Sequence, residues 1–176
     1  MASAAAIACS SGDESVSPQP LDGNVVPTMT TDSVNSYISD SGVVRYHFIA
    51  PTWLMYDEAD DPYWLFPQGL KMERFDDTRH IDATMTADTA RYYTARRLWR
   101  FDGNVRVRNL RGDRFLTEQV FWNQLTGVIY NDTFIHIELP ERILEGYGFT
   151  SNQQLTDYTL RRPTGIMPMP QNLSNM

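Results

Sequence analysis

The stretch MTADTARYYTARRLWRFDGNVRV, residues 85–107, decides the fold, because its spacing recurs in FLTEQVFWNQLTGVIYNDTFIHI, residues 115–137. Adding 30 to Ala87, Ala90, Tyr92, Trp99, Phe101, Val105 and Val107 gives Thr117, Val120, Trp122, Ile129, Asn131, Ile135 and Ile137, mostly of the same character. Met85 maps to Phe115 and Asp88 to Glu118 in the same way. Upstream, Ala50, Trp53 and Met55 reproduce the first half of the spacing, and Trp64, Phe66, Leu70 and Met72 the second. The upstream copy carries two extra residues, in the acidic loop around Asp60-Asp61-Pro62. Three copies of one spacing mark an internal repeat, and a repeat is a structural unit that cannot bury its apolar face alone.

Each copy reads as a β-hairpin. The even steps between Trp99, Phe101, Val105 and Val107 put those side chains on one face of a strand, with Arg100, Asp102, Arg106 and Arg108 on the other. The three-residue step from Ala87 to Ala90 breaks the period of two and predicts a β-bulge. Asn123-Gln124-Leu125-Thr126-Gly127 ends in a glycine suited to the left-handed position of a short hairpin loop. Val44, Tyr46, Phe48 and Ala50 alternate with Val43, Arg45, His47 and Ile49 as a further strand. No segment shows a helical stripe, so the fold class is all-β, built from stacked antiparallel hairpins. All four Trp residues fall at repeat positions. Stacked hairpins with such faces form either a filled β-sandwich core or a half-open sandwich whose inner face holds something apolar.

At 176 residues the chain suits one domain. Residues 1–9, small and apolar up to Cys9, read either as the remnant of a signal peptide with a lipoprotein-type cysteine, where acylation would anchor the domain to a membrane surface, or as a terminal stub with an incidental free thiol. Residues 10–33, rich in Ser, Asp, Thr and Pro, read as a flexible tether. The folded body is then 34–165. Pro163, Pro168 and Pro170 are expected to break regular structure, with 166–176 a disordered tail. No apolar run approaches the length of about 20 residues that a membrane-spanning helix needs.

The chemistry classes narrow quickly. A net charge of −7 and a pI near 4.8 argue against a phosphate-backbone binder, so no nucleic-acid partner is expected. One cysteine excludes an internal disulfide and a Cys-rich zinc site. Asp57-Glu58-Ala59-Asp60-Asp61 lacks the glycine and spacing of a calcium loop and sits where a hairpin turn places solvated charge, so no metal is assigned. His47, His80 and His136 are isolated, nucleophile elbows and phosphate-cradling loops are absent, and nothing selects a carboxylate pair. The chain reads as a non-enzyme without a cofactor.

The body resembles the lipopolysaccharide-export periplasmic component C (LptC) family, in its Bacteroidetes-type form, within the OstA-like superfamily. The resemblance rests on Ser41-Gly42-Val43-Val44-Arg45-Tyr46, on Ala50-Pro51-Thr52-Trp53-Leu54-Met55-Tyr56-Asp57, on Leu98-Trp99 with Gly103-Asn104-Val105-Arg106-Val107, and on Gly146-Tyr147-Gly148-Phe149-Thr150-Ser151-Asn152-Gln153-Gln154. It covers most of 40–165. The resemblance implies a twisted, open β-jelly roll with an apolar groove. It implies a carrier that takes lipopolysaccharide from an inner-membrane ABC transporter and passes it to the next jelly roll, the periplasmic bridge protein component A. The N-terminal edge, near 43–50, would meet the transporter and the C-terminal edge component A, by strand addition. The implied location is the periplasm, attached to the inner membrane. The best-known members carry a transmembrane helix, for which a lipidated Cys9 would substitute here.

The groove positions expected to contact lipid A acyl chains are Phe48, Trp53, Trp64, Phe66, Tyr92, Trp99, Phe101, Val105, Phe115, Trp122, Ile129 and Ile135. The competing reading is a carbohydrate-binding or surface-assembly lipoprotein, since exposed Trp and Tyr on a β-face stack on sugars. The two differ in which face holds the Trp residues: a flat exposed row for sugar, a concave inner face for lipid.

Overall fold

The computed structural model describes residues 22–40 and 42–168. The expectations for residues 1–9, including acylation of Cys9, and for the tail beyond Pro168 lie outside these residues. The described chain forms eleven strands: β1 (Met29–Asp40), β2 (Val43–Tyr56), β3 (Tyr63–Phe66), β4 (Leu70–Phe75), β5 (Ile81–Ala87), β6 (Thr89–Tyr93), β7 (Leu98–Asn109), β8 (Arg114–Asn123), β9 (Val128–Glu138), β10 (Arg142–Asn152) and β11 (Tyr158–Pro168). All pair antiparallel in one sheet. The fold class is therefore the all-β one read from the repeat.

The sheet is a meander with a line of irregularities across its middle. β3 and β4 are one strand interrupted at 67–69, and β5 and β6 one strand interrupted at Asp88. The register shifts between Asp102 and Val105 on β7, between Thr117 and Phe121 on β8, and between Tyr147 and Phe149 on β10. These positions are neighbours across the sheet, so the bulges align into a crease. Bulges bend a strand and increase its twist, and here they fold the whole sheet over on itself. Phe48 on the first half of β2 meets Trp99 on the first half of β7 at 5.4 Å between ring centres. Tyr46 meets Trp122 at 5.5 Å, and Phe115 meets Tyr158 at 5.8 Å. One sheet thereby supplies both layers of a jelly-roll-like sandwich.

Two motifs of the repeat make the crease. Gly103 and Asn104 both have positive φ, 77° and 45°, which a glycine accepts freely and an asparagine better than most residues. Asp88 accepts from Asn104 Nδ2 at 2.6 Å and donates its own N–H to the Gly103 carbonyl at 2.9 Å. A Cβ at Gly103 would lie 2.8 Å from the Asp88 carboxylate, so the two strands approach too closely there for any other residue. In the next copy Asn131 stands where Phe101 stood. It is fully buried, donates from Nδ2 to Thr117 Oγ1 at 2.9 Å, and accepts the Phe149 N–H at 2.9 Å. That amide sits at a register shift, so the asparagine supplies a partner that the ladder leaves out.

Folding at the crease brings matching rows of side chains together. Met55, Trp64, Tyr92, Trp99, Trp122, Ile129, Ser151 and Tyr158 are successive cross-strand neighbours near the outer border of one layer. Phe48, Met72, Met85, Val107, Phe115, Ile137, Leu144 and Ile166 are the corresponding row of the other. The thirty-residue period is the reason: each hairpin returns the same position to the same row. Ring contacts such as Trp99 on Phe101 and Trp53 on Trp64 add about 0.5–1.5 kcal/mol each beyond area burial.

The two ends of the body differ from the expectation. β1 begins at Met29, inside the stretch read as a tether, because Met29 to Asp32 pair with Met55 to Thr52 of β2. The stretch 43–50 is consequently not the N-terminal edge: β1 covers it and is itself the edge. At the other end β11 runs through Pro163 to Pro168. A proline costs no ladder bond on the open side of an edge strand, and β11 pairs only with β10 among the described residues.

Candidate functional site

Opposite the crease the two layers do not close completely. Two openings lie between their borders. The first, about 740 Å³, is bounded by Ile38, Arg45, Tyr46, Arg74 and Asp82 on one side and by Trp64, Tyr92, Arg97, Gln124 and Gln153 on the other, with Phe48 and Trp99 beneath. The second, about 780 Å³, lies between Arg111, Asp113, Leu139 and Arg142 and the facing Thr156, Asp157 and Tyr158. Between them a gap of about 20 Å³ runs inward among Met72, Met85, Val107, Trp122, Ile129 and Leu155.

The twelve expected groove positions divide by depth. Phe48, Trp64, Tyr92 and Trp99 border the first opening, and Trp122 and Ile129 border the inner gap. Trp53, Phe66, Phe101, Val105 and Ile135 lie in the packed core toward the crease, and Phe115 lies in the border row against Tyr158; none of the six lines these spaces. Ten of the twelve are buried; Trp64 and Tyr92 are partly buried. The filled core and the half-open sandwich are thus both present, one behind the other. All four Trp side chains belong to the inner faces, and none forms part of a flat exposed row.

The first opening is amphipathic. Its floor is aromatic, and its rim holds paired charges: Arg45 with Asp77 at 2.5 Å, and Arg74 on Asp82 through two bonds of 2.7 and 2.8 Å. Burial pushes the Tyr92 phenol up, against a smaller downward pull from Arg97, so at neutral pH it stays protonated. It donates to Gln124 Oε1 at 3.0 Å. Burial likewise raises Tyr158 at the second opening. Apolar chains can lie on such a floor while polar ends stay at a solvated rim.

Two features here escape a reading of the repeat. Leu155 projects from the β10–β11 loop, yet is 1% exposed, and its φ of 56° is unfavourable for leucine. The Trp122 indole N–H, also buried, has no hydrogen-bond partner among the described residues, a loss of about 1–3 kcal/mol. Neither follows a period: one is a loop residue, the other a polar atom on an apolar position. Tyr46 could have been found, since it alternates with Phe48 on the inner face.

The class that this architecture defines is a jelly-roll-like protein, helix-free among the described residues, made from one folded antiparallel sheet that is open along one side and bordered by β1 and β11. Its sequence places it further: the chain belongs to the lipopolysaccharide-assembly, LptC-related family, whose model matches residues 4–163. That family serves lipopolysaccharide transport and assembly in the cell envelope. No curated protein matches the chain.

Proposed function

We propose that the protein is a periplasmic lipopolysaccharide carrier. It takes lipopolysaccharide from an inner-membrane ABC transporter and passes it, acyl chains inward, to the bridge protein component A. Family membership supplies the pathway, and the aromatic-floored opening between the layers is the single observation that carries the mechanism. The edges support a relay by strand addition, with β1 for the transporter and β11 for component A. Acylation of Cys9 would hold the domain at the inner membrane. The interior position of the four Trp residues argues for lipid over the carbohydrate-binding alternative.

In-cell photocrosslinking tests this. A photoreactive residue at Trp64 or Tyr92, on the wall of the opening, is expected to give lipopolysaccharide adducts, whereas one at outward, exposed Arg106 gives none. Adducts at neither wall position, with the variants folded and expressed, would sink the carrier reading.

A further inference from the structure

We propose that the β10–β11 loop, residues 153–157, is a latch, and that lifting it joins the two openings into one channel in which an acyl chain replaces Leu155. The inference rests on the carrier reading and adds to it the place where the path is blocked.

The loop lies between the two openings and belongs to both. Gln153 and Gln154 border the first, and Thr156 and Asp157 the second. Beneath it, Leu155 closes the apolar gap lined by Met72, Met85, Val107, Trp122 and Ile129. The loop thus borders the first opening, the inner gap and the second opening in turn.

The way the loop is held suits a part that moves. Its own bonds are internal: Leu155 N–H donates to the Asn152 carbonyl at 3.0 Å, Thr156 N–H to Asn152 Oδ1 at 3.0 Å, and Asn152 N–H to the Asp157 carbonyl at 3.1 Å. It can therefore lift as a unit. Across the slot it is held by three side-chain donors on main-chain carbonyls: Arg74 on Gln153, Asn109 Nδ2 on Leu155 at 3.1 Å, and Arg111 on Thr156 at 3.1 Å. Water can replace each of these bonds on opening. What then remains is one leucine in the gap, on a backbone conformation that leucine disfavours. A saturated acyl chain offers the same surface to the gap, without the strain. The orphan indole N–H of Trp122 lies at the same place, where the closed form leaves it unsatisfied.

The test uses the full chain with Cys9→Ser and spin labels at Gln154→Cys and Leu110→Cys. Both positions are exposed, and Leu110 lies between Asn109 and Arg111, whose side chains hold the loop from across the slot. Lipopolysaccharide binding is followed in parallel on the same sample. Lengthening of the inter-label distance as binding saturates is the expected result. An unchanged distance at saturation overturns the latch and leaves the carrier reading standing. Failure of the unlabelled wild type to bind overturns the carrier reading, and the latch with it. As a second readout, Leu155→Ala removes most of the plug and should bind severalfold more tightly, with Leu155→Met close to wild type. Equal affinity in all three also overturns the latch.

Discussion

The crease and the open border hold the same two layers together by opposite means. At the crease every strand that crosses is continuous chain, and the irregularities it creates are satisfied from within: Asp88 by Asn104, and the Phe149 amide by Asn131. At the border the layers meet through non-covalent contacts alone: rings such as Tyr46 on Trp122, side chains reaching main-chain carbonyls of the β10–β11 loop, and Leu155. A sheet folded in this way is stiff along one side and separable along the other. Stability and access are assigned to different ends of the same strands, so substitutions at the two sides should differ in kind as well as in size.

Phe101→Ala probes the packed side. The ring is 1% exposed and stacks on Trp99, so a loss of about 3–5 kcal/mol in chemical denaturation is expected. A loss below about 1 kcal/mol would mean that the crease side is not the anchor. Asn131→Leu keeps the volume but strands the Phe149 N–H, and should cost about 2–3 kcal/mol by the same measurement. Leu155→Ala, at the border, should cost about 2 kcal/mol, the low end for a buried leucine, because a loop can settle into the space. A loss as large as that of Phe101→Ala would erase the distinction.

Acid sharpens the contrast from outside the core. Glu73 is held below the usual carboxylate range, first by its hydrogen bond from Lys71 and then by that from His47. Its contribution is complete above the unfolded value, about pH 4.3, and is lost as pH falls through the lower folded value. Between pH 5 and pH 3 the Tm of the wild type should therefore fall further than that of Glu73→Gln; parallel curves would remove Glu73 from the account. The smallest effect belongs to Asp61→Asn in the β2–β3 loop. Its pair with Arg96 is about half exposed, and an exposed pair is worth under about 1 kcal/mol.

Much of this was legible in the chain. The rows through Trp99 and Val107 follow from a period of two within strands and of thirty between hairpins, and the Ala87–Ala90 step marked the crease. What lay outside reach was set by contacts distant in sequence. β1 carries Thr30, Thr31, Asp32 and Ser33, which read as a tether until Thr52, Trp53 and Leu54 give their main chain a partner. β11 tolerates Pro163 only because it is an edge, and being an edge is not a local property. Of the site, the aromatic floor was readable. The division between Trp64 or Tyr92 at the opening and Phe66 or Val105 in the core was not, since alternation gives the face of a side chain and not its depth. Leu155 belongs to no row, and its burial depends on Met72 and Met85, about seventy to eighty residues away in sequence.

The repeat also gives the molecule a unit of length. Each hairpin adds two strands, about 9–10 Å across the sheet, and extends both the folded edge and the slot by that amount. Since the crease is rebuilt in every copy, a chain one hairpin longer or shorter would keep the same cross-section. The reach of the slot is counted out in hairpins, and its width is set separately by the side chains of each row.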